Sequence, residues 1–108
     1  MGVNLKNLSG NAREALLLTL VQQLYKDEIT EGMLLKQLRK QVLGLTQEQY
    51  AALVGISRRT LSDIERDKAQ LTLTVMNRVF RPLGLKVGLL PRSKALLQKL
   101  ANNPGDTP

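Results

Sequence analysis

Apolar residues recur at helical spacing along most of this chain, and the spacing predicts helices separated by short polar joints. Between Asn11 and Tyr25, Leu16, Leu17, Leu18, Leu20, Val21, Leu24 and Tyr25 cover more than half of a helix circumference. Asn11 with Glu14 is read as an Asx form of the capping box that opens this helix. So broad an apolar surface needs cover. The protein's own core can supply it, or a second subunit or partner can. Insertion at a membrane surface fits less well, because the polar side holds few Lys or Arg. A second helix opens at Thr30 or Glu31 and repeats Leu34, Leu35, Leu38 and Val42, with Leu45 in the connection after Gly44. Its other side carries Lys36, Arg39 and Lys40, which can touch a polyanion or form an ordinary solvated face.

The stretch Thr46 to Arg66, TQEQYAALVGISRRTLSDIER, predicts two short helices joined by a tight turn. Thr46 and Gln49 form a capping box, Ala51 is small enough for a close helix crossing, and Gly55 enters a left-handed turn without strain. Ile56 plugs the turn and Ser57 caps the next helix. Leu61 and Ile64 bury one face of that helix, leaving Arg58, Arg59, Thr60, Ser62, Asp63 and Arg66 on the other. Two helices so joined, the second with a basic and hydrogen-bonding outer face, form the pattern of a helix-turn-helix that reads DNA.

Beyond it, Asp67 to Gln70 makes a link, and Thr72 or Thr74 caps a helix with the stripe Leu73, Met76, Val79, Phe80 and Leu83. Pro82 lacks an N–H and clashes with the carbonyl four residues back, so this helix ends near Arg81 or takes Pro82 into a distorted last turn. Leu85, Val87 and Leu89 then alternate at the strand period through residues 85–91. No other stretch alternates well enough to pair with them. The expectation is therefore an antiparallel pairing with the same strand of a second subunit, so that Leu85, Val87 and Leu89 mediate dimerisation. The other reading is a loop packed on the preceding helix. Ser93 caps a last short helix through Ala95, Leu96, Leu97 and Leu100, and the residues from Asn102 to Pro108 are expected to be disordered.

Composition narrows the chemistry. With 108 residues, the chain suits one core with extensions. It has neither Cys nor His, which removes disulfides, the usual zinc ligands and the commonest acid/base group near neutral pH. No metal site, cofactor motif or nucleophile with its base is expected, and an enzyme is disfavoured. The lack of cysteine suits a reducing cytoplasm. The N-terminus lacks the basic region of a signal peptide, and no apolar run is long enough to span a membrane. Sixteen Lys and Arg against nine Asp and Glu give a formal charge of +7, which favours a polyanionic partner.

The residues from Leu35 to Glu65 resemble the Xre family of Cro and cI-type regulators. Gly44-Leu45-Thr46-Gln47, Ala51, Gly55, Ser57, Leu61 and Glu65 fall at that family's offsets. Two departures stand out. Tyr50 occupies a position where Leu is usual, and the helix before Gly44 runs one residue longer. The resemblance implies a structural ion pair between the final Glu65 and an Arg of the preceding helix, for which Arg39 is chosen over Lys40. It also implies DNA contacts at Gln47, Ser57, Arg58, Arg59, Thr60, Ser62 and Asp63. Their chemistry agrees. Gln47 lies at a helix N-terminus that favours phosphate, Arg58 and Arg59 carry forks that match guanine, and Asp63 can accept from a cytosine amino group. Ser62 is short enough to reach a base edge or a phosphate, and Thr60 suits the backbone.

Together these readings give a mostly α fold: a lambda-repressor-like helix-turn-helix bundle of four to five helices, with an added N-terminal helix and one C-terminal β-strand. The expected organisation is an N-terminal helical extension over 1–29, the DNA-binding domain over 30–84, a dimerisation strand over 85–91, and a short helix with its tail over 92–108. The expected partners are double-stranded DNA with a near-palindromic operator and a second copy of the chain. The run Leu71-Thr72-Leu73-Thr74 leading into the strand also resembles the HipB-type antitoxins, which implies a kinase-type toxin as partner. A different class of function stays open: an adaptor that keeps the motif as scaffold and docks another protein on its N-terminal helix.

Overall fold

The computed structural model describes residues 10–102, which form six α-helices: α1 Gly10–Tyr25, α2 Glu31–Gln37, α3 Gln47–Val54, α4 Arg58–Glu65, α5 Leu73–Phe80 and α6 Lys94–Asn102. Short polar residues set the starts of most of them. The hydroxyls of Thr30, Ser57 and Thr72 each accept from the amide three residues on, at 3.2, 3.0 and 3.2 Å. Thr46 and Gln49 complete a reciprocal capping box, with bonds of 3.1 and 3.0 Å. Ser93 opens α6 through a 3.3 Å bond from the Leu96 amide. Asn11 does not play this part: α1 already includes Gly10, so Asn11 lies inside the helix.

The core is one cluster. Leu34, Leu35 and Leu38 meet Tyr50, Ala51 and Val54 of α3, Leu61 and Ile64 of α4, and Val79, Phe80 and Leu83. α1 belongs to it: Leu20 is buried, and Leu16, Leu17 and Leu24 pack against the same cluster. Most of the broad apolar face expected on this helix is thus covered by the chain itself, with Leu18 and Tyr25 left outside. On α5 the stripe is narrower than its spacing suggests, because Leu73, in the first turn, is 68% exposed. The helix ends at Phe80 and tightens into a 3-10 turn over Arg81–Leu83, which accommodates Pro82.

Tyr50 fills the position where Leu was expected and lies completely buried. Its hydroxyl donates to the Val79 carbonyl near the end of α5, so the phenol both packs and satisfies a buried backbone acceptor. Burial, and then the negative charge of Glu65, push its pKa well above the usual tyrosine range.

After Gln37 the second helix widens. Residues Leu38–Leu43 form a π-helical segment, closed where the Gly44 amide donates to the Arg39 carbonyl, and Gly44 ends it in a left-handed conformation at φ 65°. The extra residue before Gly44 is explained by this turn. An i to i+5 turn takes up one more residue than an α-turn.

Among the described residues there is no β-strand, and the strand expected over residues 85–91 is not formed within the chain. A strand needs a ladder of backbone partners. Here the Leu85 amide instead donates to the Phe80 carbonyl at 3.2 Å, and the Val87 amide to Asn77 Oδ1 at 2.9 Å. The segment is irregular and tied to α5. The closing residues expected to be disordered lie, from 103 onward, outside the described residues.

Candidate nucleic-acid interface

α3 and α4 are joined by Gly55, left-handed at φ 78°, and by Ile56, whose side chain packs against the core. This geometry fixes which side of α4 faces out. Leu61, Ile64 and Glu65 are buried, while Arg58, Arg59, Thr60 and Arg66 are exposed and Ser62 and Asp63 are half-exposed. At about 100° per residue, Arg59, Arg66, Asp63 and Ser62 make up the middle of the outward face, with Arg58 and Thr60 on its two edges.

Behind that face lies a buried polar knot. Arg39 and Glu65 are each only 5% exposed, and they meet in a two-pronged ion pair. The Arg39 Nε donates to Glu65 Oε2 at 2.6 Å and Nη2 to Oε1 at 2.9 Å. Arg39 Nη1 also donates to the Leu45 carbonyl at 2.8 Å. The pair therefore ties the π-turn, the start of α3 and the end of α4 together, with its donors and acceptors matched. Arg39 rather than Lys40 takes this role, as the sequence suggested.

A second tie holds the other end of α2. The Asp67 carboxylate accepts from the Gly32 amide at 3.0 Å through Oδ1 and from the Thr30 hydroxyl at 2.6 Å through Oδ2. Asp67 adopts a left-handed conformation at φ 59°, which Asp enters more readily than most residues because its short side chain can bond locally. The helices come very close at this point: a Cβ on Gly32 would sit 2.5 Å from the Ile64 carbonyl oxygen. The C-terminal end of α4 is thus held twice, by Arg39 of the π-turn and by the start of α2.

The expected contact residues separate into three groups. Arg59, Ser62 and Asp63 share the outward face of α4. Ser57 and Thr60 are engaged with each other, the Ser57 hydroxyl donating to Thr60 Oγ1 at 2.8 Å while accepting from the Thr60 amide. Gln47 and Arg58 lie apart from the first group, in a shallow cleft of about 390 Å³ that Lys36, Lys40 and Glu48 also line. The Gln47 side chain donates to Glu65 Oε1 at 3.0 Å, so its amide is drawn inward onto the ion pair. Thr46, Gln47 and Glu48, at the N-terminus of α3, all line this cleft.

Arg66 was missing from the expected contacts. It stands on the outward face and pairs with Asp63 at 3.0 Å, where both side chains are exposed. An Asp so paired is not simply free to meet a cytosine, because Arg66 competes for its oxygen and adds a cation to the same surface. The i, i+3 spacing of Asp63 and Arg66 was the signal available in the sequence.

Comparison with known proteins decides the family. A family model described as helix-turn-helix matches residues 35–90, just over half of the chain. The chain belongs to the Xre/Cro-type helix-turn-helix family. No curated protein and no solved structure matches it. The family is one of DNA-binding transcription regulators, and its matched region takes in α3, α4 and the Arg39–Glu65 pair, while Thr30 and Gly32 of the second tie lie before it. α6 and all of α1 fall outside that region. Among the described residues, no cluster of carboxylates could hold a metal ion, and no helix is long and apolar enough to cross a membrane.

Proposed function

We propose that this helix-turn-helix protein is a sequence-specific repressor that binds a near-palindromic operator as a homodimer, placing α4 of each subunit in the major groove. The observation that carries this reading is the outward face of α4, where Arg59, Ser62, Asp63 and Arg66 are presented together by a helix whose C-terminal end is held by two ties to the preceding helices. Arg59 supplies a fork suited to guanine O6 and N7. Arg58 stands at the edge, nearer the basic cleft of Lys36 and Lys40, and there it serves either a base or the adjoining phosphate. Gln47 and the first amides of α3 position the backbone. In a dimer the two recognition helices would meet half-sites about 34–36 Å apart. Leu85, Val87 and Leu89 supply the dimer contact in this reading: the segment is not a strand within one chain, and pairing with a second copy would give it a backbone ladder.

The test is binding to a selected operator and to unrelated duplex at fixed salt. Arg59→Ala is expected to reduce discrimination at one base pair by about 1–3 kcal/mol, whereas Gln47→Ala weakens binding to all sequences more evenly. Unchanged affinity and sequence preference in an Arg58→Ala/Arg59→Ala double variant would show that α4 is not the reading helix.

The resemblance to HipB-type antitoxins gives a narrower version, in which the chain represses its own operon and neutralises a kinase-type toxin. A kinase-like reading frame beside this gene, and co-purification of its product with the chain, would support that version. The adaptor reading loses ground, because α1 spends most of its apolar face on the core.

A further inference from the structure

The C-terminal arm, residues 85–102, carries apolar surface that its own chain leaves uncovered. α6 buries none of its residues, and Leu96 and Leu100 are each more than half exposed. At about 100° per residue, Leu96, Leu97 and Leu100 share one side of the helix while Gln98 and Lys99 lie on the other. Such a stripe on a short helix is the mark of a surface meant to be covered.

The same chain holds a groove of matching character. It has a volume of about 450 Å³ and lies between α1, α5 and the segment that follows α5, with Val21, Leu24, Tyr25, Met76 and Phe80 among its apolar lining. Glu31 and Lys86 line it, and Asp27 and Glu28 lie with Lys26 in the loop between Tyr25 and Glu31, so acidic side chains outnumber basic ones around the α1 to α2 loop. The arm is the opposite. Beyond the part that walls the groove, residues 91–102 carry Arg92, Lys94 and Lys99 and contain no Asp or Glu.

We propose that α6 of a second copy of this chain lies in this groove, its leucines on the apolar wall and its lysines toward the α1 to α2 loop. Every chain carries both the helix and the groove, so a two-fold pair exchanges its arms reciprocally and leaves neither half open. The proposal rests on the homodimer reading above and gives it a contact that requires no strand.

Because the chain has no cysteine, single engineered cysteines can report the contact. Full-length Tyr25→Cys and Leu100→Cys variants are mixed in equal amounts and oxidised; both positions are exposed. The expected result is a disulfide-linked heterodimer that forms roughly tenfold faster than either homodimer. In the double variant Tyr25→Cys/Leu100→Cys, a linked dimer supports the exchange, and a disulfide closed within one chain overturns it. Sedimentation supplies an independent reading. Leu96→Glu/Leu100→Glu, at two exposed positions, is expected to keep its folded helicity and to raise the dimer dissociation constant roughly tenfold or more. A folded double-Glu variant that dimerises like the parent would refute the arm exchange while leaving the homodimer reading intact. A parent chain that stays monomeric would refute both.

Discussion

The α2 to α4 region and the C-terminal arm are both rich in leucine, yet they stand at opposite ends of structural order in this molecule. In the first, Leu35, Leu38 and Leu61 are completely buried, and the polar groups between them are bonded in pairs. In the second, Leu89 is fully exposed and α6 buries nothing. Hydrophobic content therefore does not distinguish them. The first region has directional partners at the helix ends: Arg39 with Glu65 at one end of α2, Asp67 with Gly32 and Thr30 at the other. The arm is tied to α5 only at its start, through the Leu85 and Val87 amides.

Three changes break or sharpen this contrast. Glu65→Ala has the largest expected effect, because it leaves the Arg39 guanidinium buried without its partner. Urea unfolding should show a loss of about 3–5 kcal/mol. A smaller loss would mean that water reaches Arg39 and that the knot is less closed than its burial indicates.

Tyr50→Phe comes next. It removes the donor to the Val79 carbonyl and should cost about 1–3 kcal/mol near neutral pH. Its pH dependence is a sharper test. Folding raises the Tyr50 pKa, so the folded protein keeps the phenolic proton where the unfolded chain loses it. The stability linked to that proton is complete below about pH 10 and declines as pH rises further. The gap between parent and Tyr50→Phe should therefore narrow with increasing alkali; a gap that stayed constant would argue against the buried phenol as its source.

Leu89→Ala lies at the low end. Thermal unfolding of the dilute chain should change by no more than about 0.5 kcal/mol, since the side chain has no cover to lose. A larger change at high protein concentration alone would place Leu89 in a contact between copies.

Much of the helix-turn-helix was legible because its signals are local. Thr46, Gln49, Gly55 and Ser57 act within a few residues of their own backbone, and each does what its chemistry suggests. The Arg39 to Glu65 pair was legible only through resemblance, since 26 residues separate its members. The tie from Asp67 to Gly32 left no readable trace: it depends on a left-handed Asp placed beside a helix start 35 residues earlier. That residues 85–91 form no strand within the chain has a related reason. Alternation at Leu85, Val87 and Leu89 describes side chains, whereas a strand is defined by backbone partners, and within the chain Asn77 takes one of those amides. The inward turn of Gln47 and the pairing of Asp63 with Arg66 also lay beyond the pattern, because both depend on rotamers chosen by neighbours.

The π-turn over Leu38–Leu43 gives this protein a tolerance for length. In an ordinary helix one added residue rotates everything beyond it by about 100°, which would have swung either Arg39 off Glu65 or α4 off its support. A single wide turn over these six residues takes up one residue more than regular helix would, without a break in the helix. Deleting one residue from 40–43 should accordingly convert the wide turn to a regular one and leave DNA reading unharmed, which makes this short stretch the natural place for length variation to enter and leave the molecule.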